Sequence, residues 1–553
     1  MLGLIGLLFV SQSSLYLFTD NIVSIKSNQI NNYLGWVSLG IACLIAFIFI
    51  KYKNYDTRQI NIGEKLKTLL LIDRYLLYSL IIITLILVLR FFFVRYGKIQ
   101  SIYPLFGSLY IKPFSFWIPG SLLLGLGWIR GLAIFLEKLK KKNMKTFHYL
   151  IYVFIGMIIL STTLALTDNG STGLTRTFNT PNMQYPEDTK DIDQMGVLTF
   201  VKSFNEIVYL NQKILLCEYY GLECEEYQIE YKFSDHTLSH PIGAPLFYYI
   251  GYLLFGYDTV FFALYTILFG CLTIIPLFFL LKKILGRNEA YYGIAIFAVI
   301  PNVLIFTATS FDTVLMFFSC LTVTLYYYAL TENKSKWIIF CSISLFIYAL
   351  SSYHSSAIGI FLFGLPFYFA KKESSLKPIY RALTVGGITL SLLVIMYLLG
   401  YDYLKSFLQT REFVFAIKPI ALELMKNAGF TAVTRFVHWS VSSYLAFLIY
   451  LGIPAGYFLL KISEHKKIIS NNQDLKFFEF FIIIIIIILN LNIVASVEHE
   501  RIWLFLVPFL TVPITKIVVE KIRETQFNGI LYSLLVISFL QTWVFQLTLN
   551  TKW

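Results

Sequence analysis

The chain has 553 residues, of which 57% are hydrophobic and 14% are charged, and its mean hydropathy is +0.69. The formal net charge is +13 at pH 7, but lysines and arginines lie in short segments between apolar runs, as the positive-inside rule distributes them. This distribution excludes nucleic-acid binding. Long apolar runs such as residues 481–489 lack the alternating polarity of barrel strands, so the composition predicts an all-α polytopic membrane protein.

About fifteen transmembrane helices (13 to 15) are predicted from apolar runs of spanning length. The first run lacks the basic region of a cleaved signal peptide, so it is interpreted as a first span. The predicted spans are residues 1–18, 33–50, 75–94, 116–136, 147–166, 257–281, 289–307, 311–330, 337–351, 355–370, 382–400, 438–460, 477–495, 502–519 and 529–548.

Charge in the connections predicts the orientation of these spans. If the fifteen spans simply alternate, the seven basic connections all fall on one side, which we expect to be the cytoplasm. The N-terminus is then cytoplasmic, and the C-terminus and the remaining loops lie outside. The membrane is expected to be a plasma membrane. The basic connections are residues 51–67, 137–145, 282–289, 331–336, 371–381, 461–467 and 516–524.

Two of the expected outer loops are long, residues 167–256 and 401–437, and the first is acidic. Amphipathic segments are predicted in these loops around residues 195–216 and 403–430. Five of the seven histidines also lie at outer boundaries, either because interfaces tolerate histidine or because one site faces outward. They are His236, His240, His354, His438 and His499.

Two of the six cysteines, Cys217 and Cys224, lie in the acidic outer loop, whereas the other four fall in predicted spans. An oxidising exterior allows this pair to close a short loop. A disulfide and two free thiols both remain open, and the spacing of the two cysteines matches no common zinc site.

The first ionisable residue after the fifth span is Asp168, which a flexible Asn-Gly-Ser-Thr-Gly stretch follows. This carboxylate either caps an interfacial helix or acts as a general base that deprotonates an acceptor hydroxyl. The chain returns to the membrane through residues 235–252, DHTLSHPIGAPLFYYIGY, which predict an extended His-Pro step and a short half-buried helix. A purely structural kink leaves Asp235 and His240, which flank that step, unexplained.

Charged residues also begin the fourteenth span, where Glu498, His499, Glu500 and Arg501 follow one another. Arg501 either pairs with one of these glutamates or, held by a carboxylate, grips a phosphate oxygen. Asp312 opens the eighth span, where helix capping is the expected role.

These residues together resemble the GT-C superfamily, multispan glycosyltransferases that include protein mannosyltransferases. Asp168 matches the acidic residue that opens the first outer loop, and His240 to Pro245 resemble the His-Pro-Pro return segment. Phe311-Asp312-Thr313 and Glu500-Arg501 resemble later motifs, so the resemblance covers residues 147–520. It departs in the single proline after His240 and in Asn169, which stands where an acidic doublet is usual.

The resemblance implies a GT-C-like helical core and transfer of one sugar, with inversion, from a polyprenyl-phosphate donor to an acceptor hydroxyl on a glycan, lipid or protein. Asp168 is the implied base. The implied donor-phosphate ligands are Arg501, His240, Arg176 and His354. The implied substrate-orienting residues are Asp235, His236, Glu498 and Glu500. The amphipathic segments around residues 195–216 and 403–430 are implied to cover the site as lids. No cofactor is required, although a divalent metal on Asp168, Asp235 and the nearby histidines stays open.

Three units follow from this interpretation: a four-helix extension (1–146), a catalytic membrane core (147–520) and a final helix (521–553). Two alternatives remain. One is a lipid or glycolipid transporter or flippase, although no internal repeat is detected. The other is an envelope-assembly subunit without catalytic activity.

Overall fold

The computed structural model describes most of the chain after residue 107. The described residues are 108–109, 112–140, 145–179, 185–220, 231–308, 310–353, 355–427, 444, 446–460, 472–491, 499–525 and 529–550. The first three predicted spans therefore lie outside the described residues.

The described chain is helical apart from one pair of two-residue strands, β1 (Ser108–Leu109) and β2 (Leu549–Asn550), which are antiparallel. The helices of its first half are α1 (Trp117–Lys140), α2 (Thr146–Leu166), α3 (Ser171–Asn179), α4 (Tyr185–Met195), α5 (Val197–Tyr220), α6 (Asp235–Ser239), α7 (Gly243–Phe255), α8 (Thr259–Leu272), α9 (Ile274–Ile284), α10 (Arg287–Phe297) and α11 (Pro301–Thr307).

The second half ends with a short 3₁₀ segment (Trp503–Leu506) that runs directly into a long helix and then a final helix. Its α-helices are α12 (Asp312–Thr331), α13 (Ser335–Ser351), α14 (Ser355–Glu373), α15 (Lys377–Leu398), α16 (Tyr403–Asn427), α17 (Ile453–Leu460), α18 (Gln473–Leu491), α19 (His499–Ile502), α20 (Val507–Thr525) and α21 (Gly529–Thr548).

Seven helices of the described chain are long and apolar enough to cross a membrane, or eight if one bent pair counts as a span. This confirms the predicted all-α polytopic membrane class, while the number of spans stays a prediction. The seven are Trp117–Leu139, Thr146–Leu166, Thr259–Ile284, Asp312–Thr331, Lys377–Leu398, Trp503–Glu524 and Gly529–Thr548.

The predicted span at residues 289–307 is not one straight helix, because α10 and α11 meet at an angle of 60°. Ile300 before Pro301 is extended, with φ −63° and ψ 127°, as the residue before a proline prefers. Both halves of this bent pair are buried inside the bundle, so neighbouring helices surround the break.

Helix α12 is the central element of the bundle. It contacts α8, α9, α13, α14, α15, α20 and the 3₁₀ segment, and 72% of its spanning window is buried. In contrast, only 11% of the window of α15 is buried, so that helix lies at the periphery. The final helix α21 packs against α1, where Trp543 Nε1 donates to the carbonyl of Ile118 at 3.1 Å.

A second, smaller apolar cluster lies apart from the bundle core and joins α5 to α16. Phe200, Phe204, Tyr401 and Phe413 belong to it, and Asn205 Nδ2 donates to the carbonyl of Asp402 at 2.9 Å. These helices match the amphipathic segments predicted around 195–216 and 403–430. Their action as lids stays a prediction.

Basic connections meet at the end of α12 that carries Thr331. Lys283 Nζ lies 3.5 Å from Glu332, and Arg381 Nη1 donates to the carbonyl of Leu330 at 2.7 Å. Arg523 pairs with Glu289. Four of the seven connections that the sequence predicts on one side are therefore in contact, namely 282–289, 331–336, 371–381 and 516–524.

Candidate active site

A cavity of about 100 Å³ lies at the opposite end of α12, where that helix begins at Asp312. Elements distant in sequence form its wall: the end of α3, the start of α4, α6 with the His-Pro step, α7, and α19. The lining residues are Thr177, Phe178, Tyr185, His236, His240, Tyr248, Ser310, Phe311, Asp312, Arg501 and Ile502.

An arginine–carboxylate pair forms one side of this cavity. Arg501 Nε lies 3.1 Å from Asp312 Oδ2, and both side chains are largely buried. Ser310 Oγ donates to the same Oδ2 at 2.6 Å. The two partners come together because the 3₁₀ segment after Arg501 packs on α12, where Ser319 Oγ donates to the carbonyl of Phe505 at 3.1 Å.

This pair corrects one expectation from the sequence. Asp312 was expected to cap α12, but the N-cap residue is Phe311, with no capping side chain, and the Asp312 carboxylate lines the cavity. Arg501, which the sequence places beside Glu498 and Glu500, has Asp312 as a carboxylate partner. Glu498 and the side chain of Glu500 lie outside the described residues, so their pairing with Arg501 stays open. Contacts between α12 and α19 depend on packing, so local spacing did not indicate the pair with Asp312.

Two histidines from the return segment line the cavity side by side. The rings of His236 and His240 are stacked, with centroids 5.8 Å apart. His240 Nδ1 donates to the carbonyl of His236 at 2.9 Å, which assigns the ring proton to Nδ1 in the neutral form. Burial, together with Arg501 and His240, holds the pKa of His236 well below its usual value, so this imidazole is neutral at pH 7.

Aromatic rings complete the wall, and Tyr185 is at their centre. Its ring stacks on Tyr248, with centroids 5.4 Å apart, and meets the edges of His236 and His240. Tyr185 is 5% exposed, and no hydrogen-bond partner for its hydroxyl exists among the described residues. Burial raises its pKa well above the usual value, so the hydroxyl stays protonated.

A buried carboxylate, Asp188, anchors the histidine segment. It accepts hydrogen bonds from Ser234 N at 2.9 Å, Ser234 Oγ at 2.7 Å and Thr237 Oγ1 at 2.5 Å. Burial raises the pKa of Asp188 to about 7. After the His-Pro step, Gly243 packs so closely on the backbone that an added Cβ would clash with the carbonyl oxygen of Leu350. This close approach explains why the His-Pro step continues into a glycine.

Asp168, the predicted base, does not line the cavity. It follows α2 in a turn where Asn169 and Gly170 have φ of 62° and 66°, and its buried Oδ2 lies 3.8 Å from Lys112 Nζ. Its Oδ1 has no hydrogen-bond partner within the described part of the chain. Helix α3 connects this turn to Thr177 and Phe178 in the cavity wall.

The remaining predicted site residues are either outside the wall or outside the described chain. Arg176 and Asp235 are half-buried and do not line the cavity. His354, Glu498 and Cys224 lie outside the described residues, as does the side chain of Glu500. Cys217 is half-buried near the end of α5. Because Cys224 lies outside the described residues, the disulfide between the two stays a prediction.

Of the predicted residues, the structure thus brings together His236, His240 and Arg501. Tyr185, Asp188 and Lys112 were missed, because nothing in their local sequence distinguishes them from ordinary interfacial residues. Across the described residues, no group of three or more histidine, cysteine, aspartate or glutamate side chains is arranged to hold a metal.

The fold and the cavity define an integral membrane protein that holds an arginine, a carboxylate and two histidines at one end of its helical bundle. Residues 239–401 match the family model of dolichyl-phosphate-mannose-protein mannosyltransferase. The match includes His240 and Asp312, confirms the predicted resemblance, and supports a membrane glycosyltransferase of the GT-C type. No curated protein matched the chain.

Proposed function

We propose that the protein transfers a single sugar from a polyprenyl-phosphate donor to an acceptor hydroxyl at the extracytoplasmic surface of a plasma membrane. The acceptor belongs to a glycan, lipid or protein. The observation that carries the proposal is the convergence of Arg501, Asp312, His236 and His240 on one cavity, distant from the basic end of the bundle. The basic end is then cytoplasmic, with the N-terminus, and the C-terminus is outside.

The cavity suits the phosphate of such a donor. A guanidinium that a carboxylate orients presents further N–H donors in a fixed plane, the arrangement that matches phosphate oxygens. Asp312, aided by Ser310, would hold Arg501 in that orientation. His236 and His240 would add polar contacts on the facing wall. Positioning and charge stabilisation are the main requirements, because a lipid phosphate is already a good leaving group.

Asp168 remains the preferred base. Helix α3 runs from the turn that holds Asp168 to the cavity wall, and Ser171 and Thr177 are separated by roughly 9 Å along it, at 1.5 Å per residue. An acceptor at Asp168 would therefore approach a donor at Arg501 from the far end of that helix. Asp168 would take the hydroxyl proton while the acceptor oxygen bonds to the anomeric carbon. The bond from that carbon to the phosphate oxygen breaks, and the lipid phosphate leaves. One displacement inverts the configuration.

Matched substitutions of the two carboxylates test this assignment. We expect Asp168→Asn to abolish transfer from a series of polyprenyl-phosphate sugars in lipid nanodiscs, while leaving the binding of polyprenyl phosphate intact. Asp312→Asn should weaken both transfer and phosphate binding, since it releases Arg501. Full transfer by Asp168→Asn, together with complete loss in Asp312→Asn, would identify Asp312 as the base instead.

A further inference from the structure

The most unusual polar group in the cavity wall is the hydroxyl of Tyr185. A buried hydroxyl without a partner is unfavourable, because it has lost its hydrogen bonds to water. The hydroxyl of the neighbouring Tyr248, in contrast, is hydrogen-bonded to Thr266 Oγ1 at 3.1 Å. Tyr185 has the same kind of ring in the same wall, yet its hydroxyl has no such partner among the described residues.

The ring of Tyr185 has little freedom to turn the hydroxyl elsewhere. Tyr248 stacks on one face, at an interplanar angle of 15°, and His236, His240 and Phe311 surround the ring. The residue begins α4, whose Asp188 is hydrogen-bonded to the start of α6. The ring is therefore held in position in the cavity wall, and its hydroxyl is buried there.

The charges near this hydroxyl indicate which ligand atom it meets. Burial keeps the hydroxyl protonated, and three charged groups are close enough to act on the pKa of Tyr185: Asp312 and Asp188 raise it, and Arg501 lowers it. A protonated phenol donates one hydrogen bond, and a donor beside an arginine suits an anionic oxygen.

We propose that Tyr185 binds substrate directly, by donating a hydrogen bond from its hydroxyl to a phosphate oxygen of the lipid-linked donor that Arg501 also contacts. This assignment rests on the proposed function of the cavity. The hydroxyl is without a partner in the described chain because its partner is the substrate. Phosphate binding then stabilises the protein at this point, as a ligand does when it satisfies a buried polar group.

The test is Tyr185→Phe, with Tyr348→Phe as the matched control. Tyr348 is also fully buried, its hydroxyl also has no partner among the described residues, and it does not line the cavity. Both changes delete one oxygen from a buried phenol. We therefore expect both variants to unfold at the same temperature as wild type or slightly higher.

Only Tyr185→Phe should impair the site. We expect kcat/KM for the donor to fall about 10- to 100-fold, and the affinity for polyprenyl phosphate without a sugar to fall by a similar factor, since hydrogen bonds to charged groups are strong. Tyr348→Phe should stay within about twofold of wild type in both measurements, because it changes no contact with substrate.

Two outcomes would overturn the assignment. One is transfer by Tyr185→Phe within twofold of wild type. The other is reduced transfer with unchanged binding of polyprenyl phosphate, which would assign the hydroxyl to the sugar. Wild-type protein that neither transfers sugar nor binds polyprenyl phosphate would instead refute the proposed function, and this assignment with it.

Discussion

The two ends of α12 use charge in different ways. At the Thr331 end, acidic groups are surrounded by donors: Asp474 accepts from Tyr327, Tyr368 and Lys372, and Glu332 pairs with Lys283 and Lys334. At the other end, the Asp312 pair lies in the wall of a cavity beside Tyr185, whose hydroxyl has no hydrogen-bond partner among the described residues.

This difference separates an anchoring network from a binding site. Carboxylates that several protein donors satisfy stabilise helix ends and offer a substrate few groups. Polar groups that line a cavity and keep hydrogen-bonding capacity are arranged for a ligand. A substitution at the Thr331 end should therefore affect folding, whereas the same substitution at the cavity end should affect binding and turnover.

The largest effect is expected from substituting an arginine. Arg501 and Arg523 form carboxylate pairs at opposite ends of the bundle, so they can be compared directly. Arg501→Met should reduce sugar transfer by about 10³-fold, because charge stabilisation at the leaving phosphate is lost. Arg523→Met removes the partner of Glu289 and should leave turnover per folded molecule unchanged. Equal losses of transfer in the two variants would contradict the functional division between the ends.

Removing Lys112 should have the next largest effect, on stability. Lys112→Met leaves the buried Asp168 carboxylate without its paired charge, and we expect a loss of about 3 kcal/mol. Adding Asp168→Asn should restore most of that loss, since the uncompensated charge is then gone. Denaturant unfolding of the purified variants measures both; a double variant as unstable as Lys112→Met would show that the pair is not the cause.

A matched carboxylate change at each end should give a smaller effect. Asp474→Asn weakens three hydrogen bonds and should destabilise the protein by about 2 kcal/mol, while transfer per folded molecule stays normal. Asp312→Asn should do the reverse, with lost transfer and a smaller loss of thermal stability, because an amide oxygen can still accept from Arg501 and Ser310. The comparison fails if Asp474→Asn impairs phosphate binding.

The last expected effect is a dependence of stability on pH near the cavity, which is smaller than the preceding effects for a change of one pH unit. Asp188 has a pKa of about 7 in the folded protein, against 3.8 when unperturbed, so the folded state holds an extra proton between these values. Stability from this group is present below about pH 4 and is lost as pH rises through 7, by up to about 1.4 kcal/mol per pH unit. Asp188→Asn should flatten this slope in unfolding measurements at pH 4.5, 6 and 7.5.

Much of the fold could be predicted from local pattern. The apolar runs that predicted spans at 116–136, 147–166 and 311–330 correspond to α1, α2 and α12, because only helices of that length satisfy the backbone inside lipid. The short helix after the His-Pro step is α7. The break between α10 and α11 was missed, since apolar composition alone does not reveal a bend.

The features of the candidate site also divide into those that the sequence predicts and those that it does not. His236, His240 and Arg501 could be found from sequence, because polar side chains at a membrane boundary are expensive and so indicate function. The pairing of Arg501 with Asp312, the Lys112–Asp168 contact and the surroundings of the Tyr185 hydroxyl depend on side chains from segments far apart in the chain. The sequence by itself determined the class of protein and its polar boundary residues. Only the tertiary structure decided which of these residues meet, because packing between helices sets those distances.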